Sequence, residues 1–416
     1  MILPKSSLLA NQTIEINGSK SISNRLLILH ALFHNIRIEN LSDSQDTLLL
    51  QEALNNTKET IDVKHAGTAM RFLTSYFAIR EGKTTILTGS DRMKQRPIKP
   101  LVDALKQLGA EIDYLENDGY PPLKITGHKL SGGEVKIQAN VSSQFITSLM
   151  LIGAKLENGI TIILEGKITS IPYLEMTLKI LRTIGISNSW ESDTIKVEPN
   201  IQTEKNSQII PFTIESDWSS ASYFYSLAAI GRNSISLKCF KPFSLQGDSA
   251  IRELYWEYFG VNTISEGAEA KISLLPESNF KYPERIELNM NACPDLAQTI
   301  CVTAAALKIS FHITGLETLK IKETDRLSAL QNELFKIGCL TETTDESIWS
   351  TNFIEPAANI SIETYTDHRM AMSFAPFCLL QELSIENEEV VQKSYPNFWA
   401  DLAQCLTPQT DLDEKQ

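Results

Sequence analysis

Apolar positions along this chain gather into helix-length runs that recur at a near-constant interval. Each run opens on a small polar or charged cluster: Lys20 (KSISNRLLIL), Gly67 (GTAMRFLTSYF), Ser143 (SQFITSLMLI), Asp217 (DWSSASYFYS), Asp295 (DLAQTICVTAAAL) and Asp367 (DHRMAMSFA). From the second run onward the steps are 76, 74, 78 and 72 residues. The pattern predicts amphipathic helices at all six places. A second row of Leu- and Ile-rich stretches keeps the same beat and stops at Gly109, Gly185, Gly260 and Gly338, which are 76, 75 and 78 residues apart. Glycine just past the last apolar position is an expected helix stop, because it enters the left-handed conformation at little cost. Two signals with one period predict a duplicated unit of two helices plus strands, longer than a solenoid repeat.

Between the helices lie short β-branched segments, KTTILTG, PLKITG, GEVKIQA, GITIILEG, SISLKCF, AKISLL and HITGLE, which read as strands. The alternation predicts an α/β protein. Residues 8–16 read as a further strand leading into the first helix. The first interval is contracted, since only 47 residues separate Lys20 from Gly67. It keeps a helix (TLLLQEALNN) and is expected to have lost strand material. At 416 residues the chain exceeds one ordinary core and predicts two domains. The polar stretch EPNIQTEKNSQIIPFTIESD is the expected connection between them, near residue 215, and TPQTDLDEKQ reads as a frayed tail.

Composition narrows the function. A net charge of −13 and a pI near 5.1 speak against nucleic acid as the main partner. Positive clusters inside an acidic protein point instead to a small anionic ligand. The six cysteines are scattered without a C-x-x-C, which fits reduced thiols better than disulfides. The start lacks the pattern of a signal peptide, and no stretch approaches the roughly 18 apolar residues of a membrane span. A cytoplasmic protein without membrane association is expected.

Helix N-termini expose unpaired N–H groups and the positive end of the helix dipole, so they attract anions. Several of these starts also carry cations: Lys20 and Arg25, Arg71, and Arg369. Arg92, Lys94 and Arg96 (DRMKQRPIKP) and then Lys322 and Arg326 (KETDR) belong to the second row. Ser, Asp and Gly also cap helices for stability alone, and the KETDR and DHR strings read equally well as surface ion pairs. Ser21 and Arg25 are four apart and share a helix face. GSKSISNR is not a P-loop, whose G-x-x-x-x-G-K-[ST] pattern is absent from the chain. Ser142, Ser143 and Gln144 offer two hydroxyls and an amide at one helix start. In NACPD, Pro294 takes a first helical position and Asp295 is also explained as dipole compensation. His30 and His34 form an i, i+4 pair, but no third ligand accompanies them and no metal is expected.

Taken in order, GSKSISNR, AGTAMR, RMKQRPI, SSQF, PDLAQT, KETDR, DHRMAM and KSYP resemble the 5-enolpyruvylshikimate-3-phosphate synthase family, over about residues 18–398. These enzymes are the 3-phosphoshikimate 1-carboxyvinyltransferases of aromatic amino-acid (chorismate) biosynthesis and the target of glyphosate. The resemblance implies an α/β (α+β) enolpyruvyl transferase fold of two domains, each three βαβαββ units with pseudo-threefold symmetry, the first unit contracted here. It places an inserted domain at 20–215 and a second domain at 1–19 plus 216–416. It implies addition of the 5-hydroxyl of shikimate 3-phosphate to C2 of phosphoenolpyruvate with protonation at C3, then loss of phosphate. No metal or organic cofactor is implied, and a monomer is expected.

By the same resemblance, Lys20, Ser21, Arg25, Ser142, Ser143, Gln144, Ser170, Asp295 and Lys322 hold shikimate 3-phosphate. Lys20, Gly67, Arg96, Gln144, Arg326, Arg369 and Lys393 hold phosphoenolpyruvate. Asp295 is implied as the base for the 5-hydroxyl, Glu323 as proton donor and acceptor at C3, and Lys20 as an assisting acid. Three positions depart from the family pattern: His65 and Thr318 where Asn is usual, and Phe72 where Pro follows the AGTAMR arginine. The sister family that transfers enolpyruvate to UDP-N-acetylglucosamine carries a loop cysteine and an Asn after its first catalytic lysine. Here Ser21 follows Lys20, and no cysteine precedes Cys239. A non-catalytic anion-binding relative would have lost its acids and bases, yet Lys20, Asp295, Glu323 and His368 are all present.

Overall fold

The computed structural model describes residues 1–200, 208–267 and 270–409. The centre of the expected domain connection, 201–207, and most of the expected tail, 410–416, lie outside the described residues. The chain divides into two compact units, Gly18–Ile214 and Met1–Asn17 with Glu215–Gln416.

The first unit carries α1 (Lys20–Phe33), α2 (Gln45–Asn55), α3 (Gly67–Ala78), α4 (Asp91–Lys94), α5 (Lys99–Gln107), α6 (Ser143–Gly153) and α7 (Ile171–Thr183). The second carries α8 (Trp218–Gly231), α9 (Ile251–Phe259), α10 (Ala297–Ala306), α11 (Arg326–Lys336), α12 (His368–Phe374) and α13 (Phe398–Cys405). Helices thus begin at or within two residues of all six polar clusters.

Contrary to the one-sided burial expected of amphipathic helices, five of those helices are buried on nearly all sides. Eleven of the twelve residues of α3 are buried, as are nine of ten in α10 and all seven in α12. In α6 and α8 only the first-turn polar residues Ser143, Gln144 and Ser219 and the terminal Gly231 escape burial. A helix apolar on all sides is one surrounded by other elements. Hydroxyls in these helices bond to one another across the core. Ser222 of α8 lies 3.1 Å from Thr299 of α10, which lies 3.3 Å from Ser373 of α12, and Ser75 of α3 lies 2.5 Å from Ser148 of α6. The one-sided helices are those of the glycine-terminated row. There Gly109, Gly185, Gly260 and Gly338 take φ of +92°, +86°, +65° and +86°.

Four sheets share one topology. In the first unit Thr60–Asp62, Thr84–Thr88, Leu123–Thr126 and Glu111–Tyr114 lie side by side in that order, the first pair parallel and the others antiparallel. Gly133–Gln138, Ile160–Glu165, Thr194–Val197 and Asn188–Glu191 repeat it. In the second unit the N-terminal strand Gln12–Glu15 leads Ile235–Lys238, Lys271–Pro276 and Val261–Glu266. Arg285–Asn289, Ser310–Thr314, Ser347–Phe353 and Cys339–Thr343 form the fourth.

Each unit also has a reduced sheet. Ile36–Glu39 pairs parallel with Ile210–Thr213, so the contracted first repeat keeps two strands, one of them contributed from 174 residues on. The polar stretch expected to be a plain connection therefore ends in a strand. In the second unit Leu383–Ile385 lies between Ile360–Ile362, its parallel partner, and Ile2–Leu3, its antiparallel partner. The single strand expected over 8–16 is two, Ser6–Leu8 and Gln12–Glu15, because Asn11 turns the chain at φ +58°. Ser6–Leu8 then pairs with Leu406–Pro408, so the expected frayed tail opens as a strand.

The crossings between the units are pinned within each unit. A Cβ on Gly18 would stand 1.8 Å from the Asn40 carbonyl oxygen. Asn40 donates its amide to the Ile214 carbonyl at 2.9 Å. On the other side, Asp217 N–H donates to Asn17 O at 3.2 Å and the Ser216 hydroxyl donates to Ile16 O.

Gly18 and Gly185 should therefore respond differently to alanine. At Gly185 a Cβ meets nothing within 4 Å, and only the positive φ opposes it, at about 1–2 kcal/mol. At Gly18 the methyl collides with backbone, and the loss should exceed roughly 3 kcal/mol. Urea unfolding of both variants decides this, and equal losses would contradict the packing described.

Candidate active site

In the first unit the starts of α1, α3 and α6 carry no Asp or Glu in the first turn. Lys20 is the first residue of α1, with its Nζ 3.7 Å from Asp46 Oδ2 at the start of α2. Arg25, one turn on from Ser21, is 4% exposed. It donates to Ser21 O at 2.7 Å, Thr177 Oγ1 at 2.8 Å, Tyr173 O at 3.3 Å and Thr147 Oγ1 at 3.5 Å. Its guanidinium lies 5.7 Å from the centre of the Phe72 ring, so the Phe72 departure supplies a cation–π surface. Burial pushes Arg25 down to about 10, still charged at neutral pH, and its partners are hydroxyls and carbonyls rather than a carboxylate.

Ser142 caps α6 by accepting Gln144 N–H at 3.3 Å, and the Gln144 amide donates to Thr68 at 3.3 Å, joining the starts of α6 and α3. Gly67 opens α3 where a Cβ would lie 2.6 Å from Arg96 Nη1. The missing side chain thus leaves room for the buried Arg96 guanidinium. Arg71 turns inward and donates to Gly67 O at 3.1 Å and Pro97 O at 3.4 Å, which braces the segment bearing Arg96. Arg92 is exposed, and Lys94 pairs with Glu116 at 2.7 Å. Ser170, with φ +55°, takes the N-cap position of α7 without a side-chain capping bond.

In the second unit, a 2% exposed Arg326 at the start of α11 binds three carboxylates. Its Nε donates to Asp367 Oδ2 at 2.6 Å, Nη1 to Asp295 Oδ1 at 2.8 Å and Nη2 to Glu323 Oε2 at 2.8 Å. Arg369 Nη2 lies 3.1 Å from Asp295 Oδ2, and its Nη1 donates to the Asp295 carbonyl at 2.9 Å. Lys322 Nζ lies 3.6 Å from Asp295 Oδ1, and Lys393 Nζ donates to Glu323 Oε1 at 2.8 Å. Four cations face three carboxylates. KETDR and DHR are therefore a buried network rather than surface pairs. Asp367 is fully buried and caps α12 through Arg369 N–H at 2.8 Å.

Burial alone would raise Asp295, but Arg369, Lys322 and Arg326 outweigh it and hold the carboxyl well below the usual carboxylate range. Burial lowers Lys322, against the opposing pull of Asp295. Burial also works against the charge of Arg326, yet Asp367, Glu323 and Asp295 more than reverse this and raise it.

Every residue expected in a substrate set thus falls within one of two groups. Lys20, Ser21, Arg25, Gly67, Arg96, Ser142, Ser143, Gln144 and Ser170 belong to the first unit, and Asp295, Lys322, Glu323, Arg326, Arg369 and Lys393 to the second. Sequence reasoning gave no role to Asp46, Ser219 or Asp367. Asp367 was findable, because it opens a helix two residues before Arg369. Asp46 and Ser219, which accepts from Arg369 Nη2 at 3.4 Å, meet their partners only through folding. Thr318 is buried, and its hydroxyl has no hydrogen-bond partner among the described residues. His30 Nδ1–H donates to the Ile36 carbonyl oxygen at 2.8 Å, and its ring meets His34 edge-on at 6.2 Å. No helix among the described residues is long and apolar enough to cross a membrane.

The family profile described as EPSP synthase (3-phosphoshikimate 1-carboxyvinyltransferase) matches residues 51–402. A 3-phosphoshikimate 1-carboxyvinyltransferase of Bacteroides fragilis strain YCH46 is 46% identical over 396 residues, covering 94% of each chain. The EPSP synthase structure from Acinetobacter baumannii superposes with a TM-score of 0.70 at 21% identity, over 97% of each chain. The enolpyruvyl transferase NikO from Streptomyces tendae superposes at 0.68 and 13% identity over 98% of each chain. These two similarities concern the fold.

The charge network generates a pH prediction. Asp295 titrates near about 3.9 when unfolded and much lower when folded. Its contribution to stability is therefore complete above about pH 4 and is lost as pH falls toward the folded value. Asp295→Asn should flatten this acid limb. The urea midpoint should fall less between about pH 6 and about pH 3 in the variant than in the parent. An identical fall in both would contradict the depressed carboxyl.

Proposed function

The chain belongs to the EPSP synthase family, and we propose that the two residue groups described above carry its transfer of the enolpyruvyl group from phosphoenolpyruvate to shikimate 3-phosphate. The observation that carries the residue assignment is the Arg326 hub. One guanidinium holds Asp295 and Glu323 each at 2.8 Å, two carboxylates with separate cationic neighbours. Two proton-transfer roles at one pH need such a pair.

Shikimate 3-phosphate is held by Lys20, Ser21, Arg25, Ser142, Ser143, Gln144 and Ser170, with Asp295 and Lys322. Acid-free helix starts favour its phosphate, and the Arg25 charge, whose partners among the described residues are neutral hydroxyls and carbonyls, gains a counter-ion from this phosphate. Phosphoenolpyruvate is held by Lys20, Gly67, Arg96, Gln144, Arg326, Arg369 and Lys393, whose guanidinium forks suit carboxylate and phosphate.

Asp295 takes the proton of the 5-hydroxyl as its oxygen bonds to C2 of phosphoenolpyruvate. Glu323 delivers a proton to C3, which completes the tetrahedral adduct. Glu323 then recovers a proton from C3 as the C2–O bond to phosphate breaks, leaving the enolpyruvyl ether and inorganic phosphate. Lys20 assists by protonating the departing phosphate. Three cations make Asp295 a weak base in the free protein. Anionic substrates neutralise those cations, so its basicity rises when the reactants are in place.

The first test is phosphate release that requires both substrates. Asp295→Asn should bind shikimate 3-phosphate yet lose roughly 10²–10⁴ in kcat, since the amide accepts no proton. Near-normal turnover would remove Asp295 from the mechanism.

Gly67→Ala probes the other unit. Its methyl meets Arg96 first, at a distance that forces the guanidinium to move. The Michaelis constant for phosphoenolpyruvate should rise about tenfold, with that for shikimate 3-phosphate nearly unchanged. Inhibition by the longer glyphosate should weaken further. Steady-state constants measured side by side check both, and an unmoved phosphoenolpyruvate constant would separate Gly67 and Arg96 from that substrate.

A further inference from the structure

Glu333 lies seven residues beyond Arg326 on α11, close to two full turns, so the two side chains share a face. Its carboxylate is fully buried, and the transfer chemistry above makes no use of it. It accepts from Lys336 Nζ at 2.7 Å, from Glu363 N–H at 3.0 Å and from Tyr365 Oη at 3.0 Å. Lys336 also donates to Ser361 O at 2.8 Å. All the contacts beyond α11 therefore go to one segment, 361–365.

That segment is under strain. Tyr365 and Thr366 stand consecutively at φ +52° and +56°. Non-glycine residues, and β-branched ones above all, hold the left-handed region only when their surroundings enforce it. Asp367 N–H closes the turn on Thr364 O at 2.8 Å. The Asp367 carboxylate then receives Arg326 Nε at 2.6 Å and caps Arg369 N–H at 2.8 Å. One face of α11 thus grips the turn at both ends, with the anion Glu333 before the strained pair and the cation Arg326 after it. A fully buried carboxylate needs more than the Lys336 pair to satisfy its lone pairs, and here both further donors come from residues 363 and 365. The two further acceptances aim at the turn that delivers Asp367 and Arg369.

We propose that Glu333 is a positioning residue, acting through Tyr365 and the left-handed turn to set Asp367 and Arg369 for phosphoenolpyruvate. This rests on the assignment of Arg369 to that substrate. Without the clamp the turn relaxes toward ordinary φ, and a guanidinium that must be placed within a fraction of an ångström moves.

The test compares Glu333→Gln, Tyr365→Phe, the double variant Glu333→Gln/Thr366→Gly, and Arg369→Lys, each in the full chain. Glu333→Gln and Tyr365→Phe should raise the Michaelis constant for phosphoenolpyruvate about tenfold and leave that for shikimate 3-phosphate unchanged. Thr366→Gly in the Glu333→Gln background should recover much of this, since glycine adopts the left-handed turn without enforcement. Amide hydrogen exchange over residues 364–370 should quicken about tenfold in both single variants. A lowered melting temperature with an unmoved phosphoenolpyruvate constant would overturn the proposal, as would equal rises for both substrates. If Glu333→Gln does not fold, Tyr365→Phe decides by the same readings. If Arg369→Lys leaves the phosphoenolpyruvate constant alone, the substrate assignment fails instead. The exchange rates then still judge the clamp, and unchanged rates end it.

Discussion

A single buried guanidinium, Arg326, is the constraint on which the second unit is organised. Its three nitrogens reach Asp367, Asp295 and Glu323, which come from the start of α12, the turn before α10 and the loop before α11. A lysine would offer one point charge, whereas the planar fork fixes three directions at once. Burying a guanidinium is costly unless it is fully paired, and here the pairing raises the group instead of lowering it. Three chain segments far apart in sequence are thus held in register by electrostatics that tolerate little misplacement. The carboxylates are oriented before any ligand arrives, which is the preorganisation that acid–base chemistry needs.

The same network sets the chemical poise of the site. In a resting protein, Asp295 is surrounded by Arg326, Arg369 and Lys322, and its proton affinity is suppressed. A base in that state holds its charge but takes protons poorly. Under the proposed assignment the substrates are anions whose arrival gives these cations other partners. Binding and base strength are therefore coupled through shared counter-ions, with no moving part required. Arg25 in the first unit shows the other arrangement. It too is buried, but hydroxyls and carbonyls surround it, so its charge remains available to a ligand.

The repeat was legible because it is written in features that local physics fixes. Helix starts need caps and helix ends need glycine, and both rows recur at the same interval as the sheets they join. What sequence missed is instructive. Asn11 and the pairings of Ser6–Leu8 and Ile210–Thr213 depend on partners some 170 to 400 residues distant. The burial of α3, α8, α10 and α12 follows from what surrounds them, which no periodicity within the helix encodes. KETDR looked as much like surface pairs as like a site, because charge strings carry no record of burial. The candidate residues were identified by resemblance in sequence order, yet Asp46, Ser219, Asp367 and Glu333 act behind them through contacts made only by folding.

The two units solve one geometric problem with opposite charge. In each, helices from different repeats open beside one another, as the Gln144–Thr68 bond shows for α6 and α3 and the Arg369–Ser219 bond for α12 and α8. Adjacent helix starts crowd positive dipole ends together, which is unfavourable unless something negative is near. The second unit supplies the negative charge itself. Asp217 accepts Ser220 N–H, Asp367 accepts Arg369 N–H, and Asp295 stands in the turn before α10. Having carboxylates there, it can recruit arginines and support proton transfer. The first unit places Ser19, Ala66 and Ser142 at the equivalent caps, with no acid in the first turns. Its positive ends are left for an anion from outside. Under the proposed assignment this change of cap divides the labour within one repeated fold: the acid-capped half performs proton chemistry, and the neutral-capped half binds phosphate.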